Sequence, residues 1–188
     1  MNNMIRLIIF DFGDTLFHAK EDSRSKGTGE WVVLERDEEG RPIKVAPPDR
    51  IGVAEYTFDY VQEVLHDLRY NRKMWLSVAS SADVEYTPQL VEAFEMGALF
   101  RHAFMARGDW NQDCSRKGDW IEAIIHDFNI GECQDDPLDP SEVMFIDDLA
   151  RCLNAARKKV QGLNTIMSFP RTEEGMRYLY HVLEEFNE

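Results

Sequence analysis

The sequence predicts an α/β protein: a Rossmann-like parallel sheet with helices on both faces and a minimal β-hairpin cap. Three observations predict it. Five short apolar runs have the length of buried strands, amphipathic helical patterns separate them, and one stretch behind the first run breaks the alternation. At 188 residues the chain is expected to form one domain over 1–188, with residues 17–50 inserted as the hairpin and its flanking loop.

The first run, Ile5 to Phe10 (IRLIIF), carries one polar residue, the pattern of a strand covered on both faces. Met74 to Ala79 (MWLSVA), Ala103 to Ala106 (AFMA), Val143 to Ile146 (VMFI) and Thr165 to Phe169 (TIMSF) supply the others. Val61, Val64, Leu65 and Leu68 share one helical face, and Leu90, Val91 and Phe94 another. Trp120, Ile121, Ile124, Ile125 and Phe128 form a third face, and Met176, Leu179, Val182, Leu183 and Phe186 a fourth. Alternation of this kind implies right-handed crossovers between parallel strands. Inside the insertion, Glu30 to Arg36 and Ile43 to Ala46 read as two strands around a turn at Asp37 to Gly40, after a polar run over 20–29. Pro47 and Pro48 are expected to end the hairpin and return the chain to the sheet, and Gly131 to Pro140 reads as a loop.

Composition removes several functions. There are 21 basic and 35 acidic side chains, a net charge of −14, with no basic stripe to offset it, so nucleic acid is not an expected partner. No apolar run approaches the ~20 residues that span a bilayer, and no signal-peptide core follows Met1; no membrane partner is expected, and the expected location is the cytoplasm. Cys114, Cys133 and Cys152 are odd in number, form no C-x-x-C pair and have no His at ligand spacing. They are read as three reduced thiols, not as a zinc site or disulfide framework.

Ligands of open parallel sheets bind beyond the carboxyl ends of the strands. There the sequence places Asp11, Gly13, Asp14 and Thr15 after the first run, Ser80 and Ser81 after the second, Lys117 before the third helix, and Asp147 and Asp148 after the fourth run. Carboxylates from two strand ends make the hard oxygen site that Mg²⁺ prefers, with positions left for water and phosphate. Lys117 and the Ser80 hydroxyl suit phosphate oxygens, and an aspartate can serve as nucleophile. The set suffices for phosphoryl transfer on a small phosphorylated substrate or a phosphoprotein, provided the first and fourth strands lie side by side.

The string Ile8-Ile9-Phe10-Asp11-Phe12-Gly13-Asp14-Thr15-Leu16 resembles motif one of the haloacid dehalogenase superfamily, an apolar strand followed by D-x-D-x-T-L. Ser80 matches that family's second motif, Lys117 its third, and Phe145-Ile146-Asp147-Asp148 its fourth, in the same order along most of the chain. Within the superfamily it looks most like the small magnesium-dependent protein and fructosamine-phosphate phosphatases, on the short insertion, Pro47-Pro48, Val78-Ala79-Ser80 and the Asp147-Asp148 pair. The resemblance implies Asp11 as nucleophile and metal ligand, the Gly13 carbonyl as a second ligand, and Asp147 as a third, directly or through water, with Asp148 beside it. It implies Ser80 and Lys117 as phosphate binders, Thr15 as support for the motif-one loop, and hydrolysis of a phosphate monoester through an aspartyl phosphate.

Three positions depart from that pattern. Gly13 stands where the family carries the aspartate that protonates the leaving group, a contribution of about 10²- to 10⁴-fold. Asp14 follows directly and has three readings: it caps the Leu16 and Phe17 backbone, holds Lys117, or replaces the missing acid as a catalytic residue. Ser81 stands where the related phosphatases tend to carry Arg, and Cys152 where many relatives carry Asn. A second functional reading follows: a catalytically weakened or inactive domain of this fold that binds a phosphorylated ligand or protein. A phosphoaspartate receiver fits less well, since its acidic pair follows the first strand, and a dehalogenase would not need the Asp147-Asp148 pair. Ser80 could also cap a helix near Asp83, Arg116 competes with Lys117, and Trp31 either packs over the site or anchors the insertion. Arg101, Arg107 and Trp110 are candidates for the entrance, and none of the five histidines earns a catalytic role.

Overall fold

The computed structural model describes residues 4–19, 30–47, 55–57, 61–81, 86–105, 114–167, 177–178 and 181–182. Its core is a parallel sheet of β1 (Leu7–Phe10), β6 (Trp75–Ser80), β7 (Phe104–Met105), β8 (Val143–Asp147) and β9 (Asn164–Met167), in the order β7-β6-β1-β8-β9. β1 lies at the centre because all four of its side chains are buried, and it pairs in parallel with β6 on one side and β8 on the other. The register sets Phe10 opposite Val78 and Ile146, so the residues that follow these strands emerge together at one edge.

Alternation along the strands splits the core in two. Ile8, Phe10, Leu76, Val78, Met144 and Ile146 face a cluster containing Val61, Leu65, Leu68, Leu90 and Phe94. These come from α1 (Val61–His66), its π-helical continuation Asp67–Asn71, α2 (Tyr86–Ala93) and the turn after it. Leu7, Ile9, Val143 and Phe145 face Trp120, Ile121, Ile124, Phe128, Leu153 and Ala156 on α3 (Lys117–Ile130) and α4 (Ala150–Lys159). Three of the expected helical faces are therefore core. Of the fourth, only Val182 lies within the described residues, and it packs against the first cluster.

The insertion is larger than a hairpin. β3 (Val32–Arg36) and β4 (Pro42–Ala46) pair antiparallel as expected, closed by a turn in which Asp37 accepts hydrogen bonds from the Arg41 backbone N–H and Nε, both at 2.7 Å. Gly40, at φ 83°, supplies the left-handed residue of that turn. Two further strands, β2 (Phe17–Ala19) and β5 (Glu55–Thr57), complete a four-stranded antiparallel sheet in the order β2-β5-β4-β3. The chain thus makes another strand after Pro47 before it returns at α1; Pro48 and the polar run over 20–29 lie outside the described residues. Val45 and Ala46 are fully buried, and Gln62 donates to the carbonyls of Pro42 (2.7 Å) and Phe94 (3.0 Å), tying the small sheet to the core. Trp31 anchors the insertion: its Nε1 donates to Gln89 Oε1 at 3.0 Å and its ring meets Tyr86 edge-on.

Cys114 and Cys152 correct the expectation of three reduced thiols. They form a disulfide with Cα atoms 4.6 Å apart, and Cys133 is the buried free thiol among the described residues. Counting cysteines misses the pair because the partners are 38 residues apart in sequence and meet only when α3 packs on α4. Among the described residues, no helix is long and apolar enough to cross a membrane.

Candidate functional site

Asp11 leaves β1 just beyond the sheet, its backbone N–H donating to the Ile146 carbonyl at 2.7 Å. The chain then folds into one tight turn: the Phe12 carbonyl accepts from the N–H groups of Thr15, Leu16 and Phe17 at 2.9–3.3 Å. Phe12 and Phe17 are buried and their rings lie 4.2 Å apart, which pins the turn to the core. Asp14 sits at φ 57°, a left-handed conformation that Asp tolerates better than most residues.

The edge of the sheet gathers the predicted residues. Carboxylate oxygens of Asp11, Asp147 and Asp148 all lie within 4.8 Å of one another, so the first and fourth strand ends do meet. Lys117, the first residue of α3, is buried. Its Nζ donates to the Asp11 carboxylate and to the Ala79 carbonyl at 2.6 Å, and stands 3.2 Å from Asp147 Oδ2. Arg116, its competitor, is exposed. Ser80 ends β6 and is buried beside this edge. The helix start near Asp83 that it could cap lies outside the described residues, and α2 is described from Tyr86. Thr15 is buried in the turn, and its Oγ1 has no hydrogen-bond partner among the described residues. Gly13 is exposed at the mouth of the turn.

Asp14 pairs with a histidine. Its carboxylate accepts from His18 Nδ1 at 2.9 Å, while Lys117 is held by Asp11, Asp147 and Ala79. His18 is the site neighbour that sequence reasoning missed, because the i, i+4 pair forms through a left-handed residue and a strand, not along a helix. Arg107 and Trp110 lie outside the described residues, and Arg101 is exposed at the start of the β7 approach.

The electrostatics are unbalanced in a specific way. Burial pushes the Asp148 carboxyl up to about 6, and Asp11 and Asp14 add to the rise. Asp147 is pushed up likewise, first by burial and then by Asp11, against the pull of Lys117. Three ionised carboxylates with one ammonium leave two negative charges, which one divalent cation would balance. Asp147 Oδ1 accepts from the Leu149 N–H at 2.8 Å, whereas its buried Oδ2 has no hydrogen-bond partner among the described residues and stands 3.2 Å from Lys117 Nζ. An all-oxygen set with an under-satisfied carboxylate oxygen fits Mg²⁺.

No protein-family model and no curated protein matches the chain. Solved structures do. A haloacid dehalogenase superfamily hydrolase from Ehrlichia chaffeensis superposes with a TM-score of 0.55 at 13% identity, over 82% of this chain and 63% of that one, so the chain spans less than two thirds of that relative. A putative phosphatase from Clostridium difficile gives 0.59 at 14%, over 94% of this chain and 91% of its own. A family enzyme from Bacteroides thetaiotaomicron, a variant solved in complex with magnesium and inorganic phosphate, gives 0.54 at 13%, over 93% and 98%. The parallel sheet order, the turn after its central strand and these superpositions lead to one conclusion: the chain has the fold of the haloacid dehalogenase superfamily of hydrolases and phosphatases.

Proposed function

We propose that this chain is a Mg²⁺-dependent phosphatase that hydrolyses a phosphate monoester through an aspartyl phosphate on Asp11. The observation that carries the reading is the meeting of Asp11, Asp147 and Asp148 around buried Lys117 at adjacent strand ends. Mg²⁺ held by Asp11, Asp147, Asp148 and the Gly13 carbonyl would supply charge neutralisation for the phosphate dianion. Asp11 is the nucleophile: its carboxylate attacks phosphorus in line, the leaving oxygen departs opposite, and water hydrolyses the acyl phosphate in the second half. Lys117 holds the Asp11 carboxylate in place and faces the phosphoryl oxygens, with Ser80 as a second phosphate contact and Thr15 bracing the turn. The substrate is a small phosphorylated molecule or a phosphoprotein, and the expected location is the cytoplasm.

The test is hydrolysis of an aryl phosphate. Wild type with Mg²⁺ is expected to turn over, and Asp11→Asn or chelation to abolish turnover. Metal-independent hydrolysis, or full activity in Asp11→Asn, would overturn the mechanism. One feature favours the second reading, a weakened domain that binds a phosphorylated ligand: Gly13 offers no carboxyl, and the Asp14 carboxylate is engaged by His18. Binding of inorganic phosphate without hydrolysis of any ester in a broad panel would select that reading.

A further inference from the structure

Lys117 opens α3, yet that helix starts at Arg116 without a side-chain cap. The 3-10 turn Cys114–Arg116 runs directly into this first turn, and helix ends are where local opening begins; here the end carries the buried cation of the site. Besides the Lys117 side-chain contacts and the buried face of the helix, three contacts tie it to α4. Cys114, three residues before Lys117 in the turn Cys114–Arg116, is bonded to Cys152, four residues after Asp148 in the first turn of α4. Gly118 lets α4 approach so closely that a Cβ there would stand 2.5 Å from Lys159 Cβ and 3.3 Å from the Ala155 carbonyl. Lys159 pairs with Asp119 at 3.2 Å and Glu122 at 3.4 Å, but these groups are exposed and such pairs contribute little.

One covalent bond therefore joins the arm that delivers the ammonium to the arm that delivers two carboxylates. We propose that Cys114–Cys152 is a redox-modification site whose bond positions Lys117, so that its reversible reduction lowers turnover. The inference rests on the phosphatase reading for its effect on rate. In the reducing direction, a thiolate of a dithiol attacks one sulfur, the S–S bond breaks to a mixed disulfide, and the second reductant thiol resolves it. Two electrons and two protons pass to Cys114 and Cys152, and the reductant leaves as its disulfide. A small disulfide such as oxidised glutathione runs the exchange backwards. Both cysteines are nearly covered, at 7% and 2% exposed, so exchange proceeds when the Cys114–Arg116 turn opens locally. Reduction leaves Lys117 with its ionic partners but frees its backbone, and loss of alignment at a reacting centre costs on the order of 10- to 100-fold in kcat.

The experiment compares oxidised wild type, wild type reduced with dithiothreitol, and the double variant Cys114→Ser/Cys152→Ser, with Cys133→Ala as a thiol-count control. Melting curves confirm that each is folded at the assay temperature. Aryl phosphate hydrolysis is read as kcat and KM separately, and Lys117 reach is read by acetylation and mass spectrometry in each state. The expected result is a fall in kcat of about 10-fold or more with a smaller change in KM, faster acetylation of Lys117, and recovery on reoxidation in wild type only. Equal kcat in the oxidised and reduced states, or three alkylatable cysteines after treatment with oxidised glutathione, would overturn the proposal. Should oxidised wild type hydrolyse no ester, the phosphatase reading fails by itself, and equal acetylation of Lys117 in both states would then overturn the positioning claim.

Discussion

At position 13 the backbone has room for a side chain: a Cβ added there meets nothing within 4 Å, and no left-handed φ stands in the way. Gly13→Asp is therefore expected to fold normally and, on the proposed phosphatase reading, to put a carboxyl where the leaving group would need a proton. Hydrolysis of an alkyl phosphate should rise by as much as about 10²-fold, and that of an aryl phosphate, whose leaving group needs less help, should rise less. An unchanged ratio of the two rates would show that the proton comes from another group, with the Asp14–His18 pair the first to replace. Asp11, Ser80 and Asp147 were legible in the sequence because each ends an apolar run, and in a parallel sheet such ends share an edge. The destination of Asp14 was not, since no pattern of residue types reports that it adopts φ 57° and turns to His18.

Among the elements, the contact of α3 with α4 is the least forgiving. At Gly118 any side chain must displace Lys159 or the α4 backbone, so Gly118→Ala is expected to cost about 1–3 kcal/mol, read as a lower urea midpoint at constant m-value. A midpoint equal to wild type would mean that α4 shifts without cost. Long elements were readable in advance: the five-residue apolar face of α3 admits one register against the sheet. The three-residue strands β2 and β5 were not, because a run such as Phe17–Ala19 becomes a strand only through its pairing with Glu55–Thr57, far along the chain. The half of the insertion closed by the Asp37–Arg41 turn was visible for the opposite reason, since its partners are sequence neighbours.

Taken whole, the molecule carries a net charge of −14 and concentrates three carboxylates where burial opposes ionisation. Asp148 is raised from 3.8 to about 6, by burial and then by Asp11 and Asp14, and Asp147 is raised in the same sense. Below the unfolded value both states hold these protons and the stabilisation is complete. As pH rises from about 4 through 6 the unfolded chain releases them first, and stability from this source is lost. A divalent cation bound there, as proposed, would offset the repulsion that remains. The Mg²⁺-induced rise in Tm is therefore expected to be larger at pH 7.5 than at pH 5, and Asp148→Asn should shrink the difference; equal shifts at the two pH values would contradict a carboxylate site. Strand pairing has a last consequence, because among the described strands of the parallel sheet Asp11 follows the first in chain order and Asp147 ends the fourth. A nascent polypeptide still on the ribosome cannot assemble the chelate until that late strand has docked. An ion bound there, as proposed, would stabilise the chain only once these two strands are paired, a latch on a late step of folding rather than a seed for collapse.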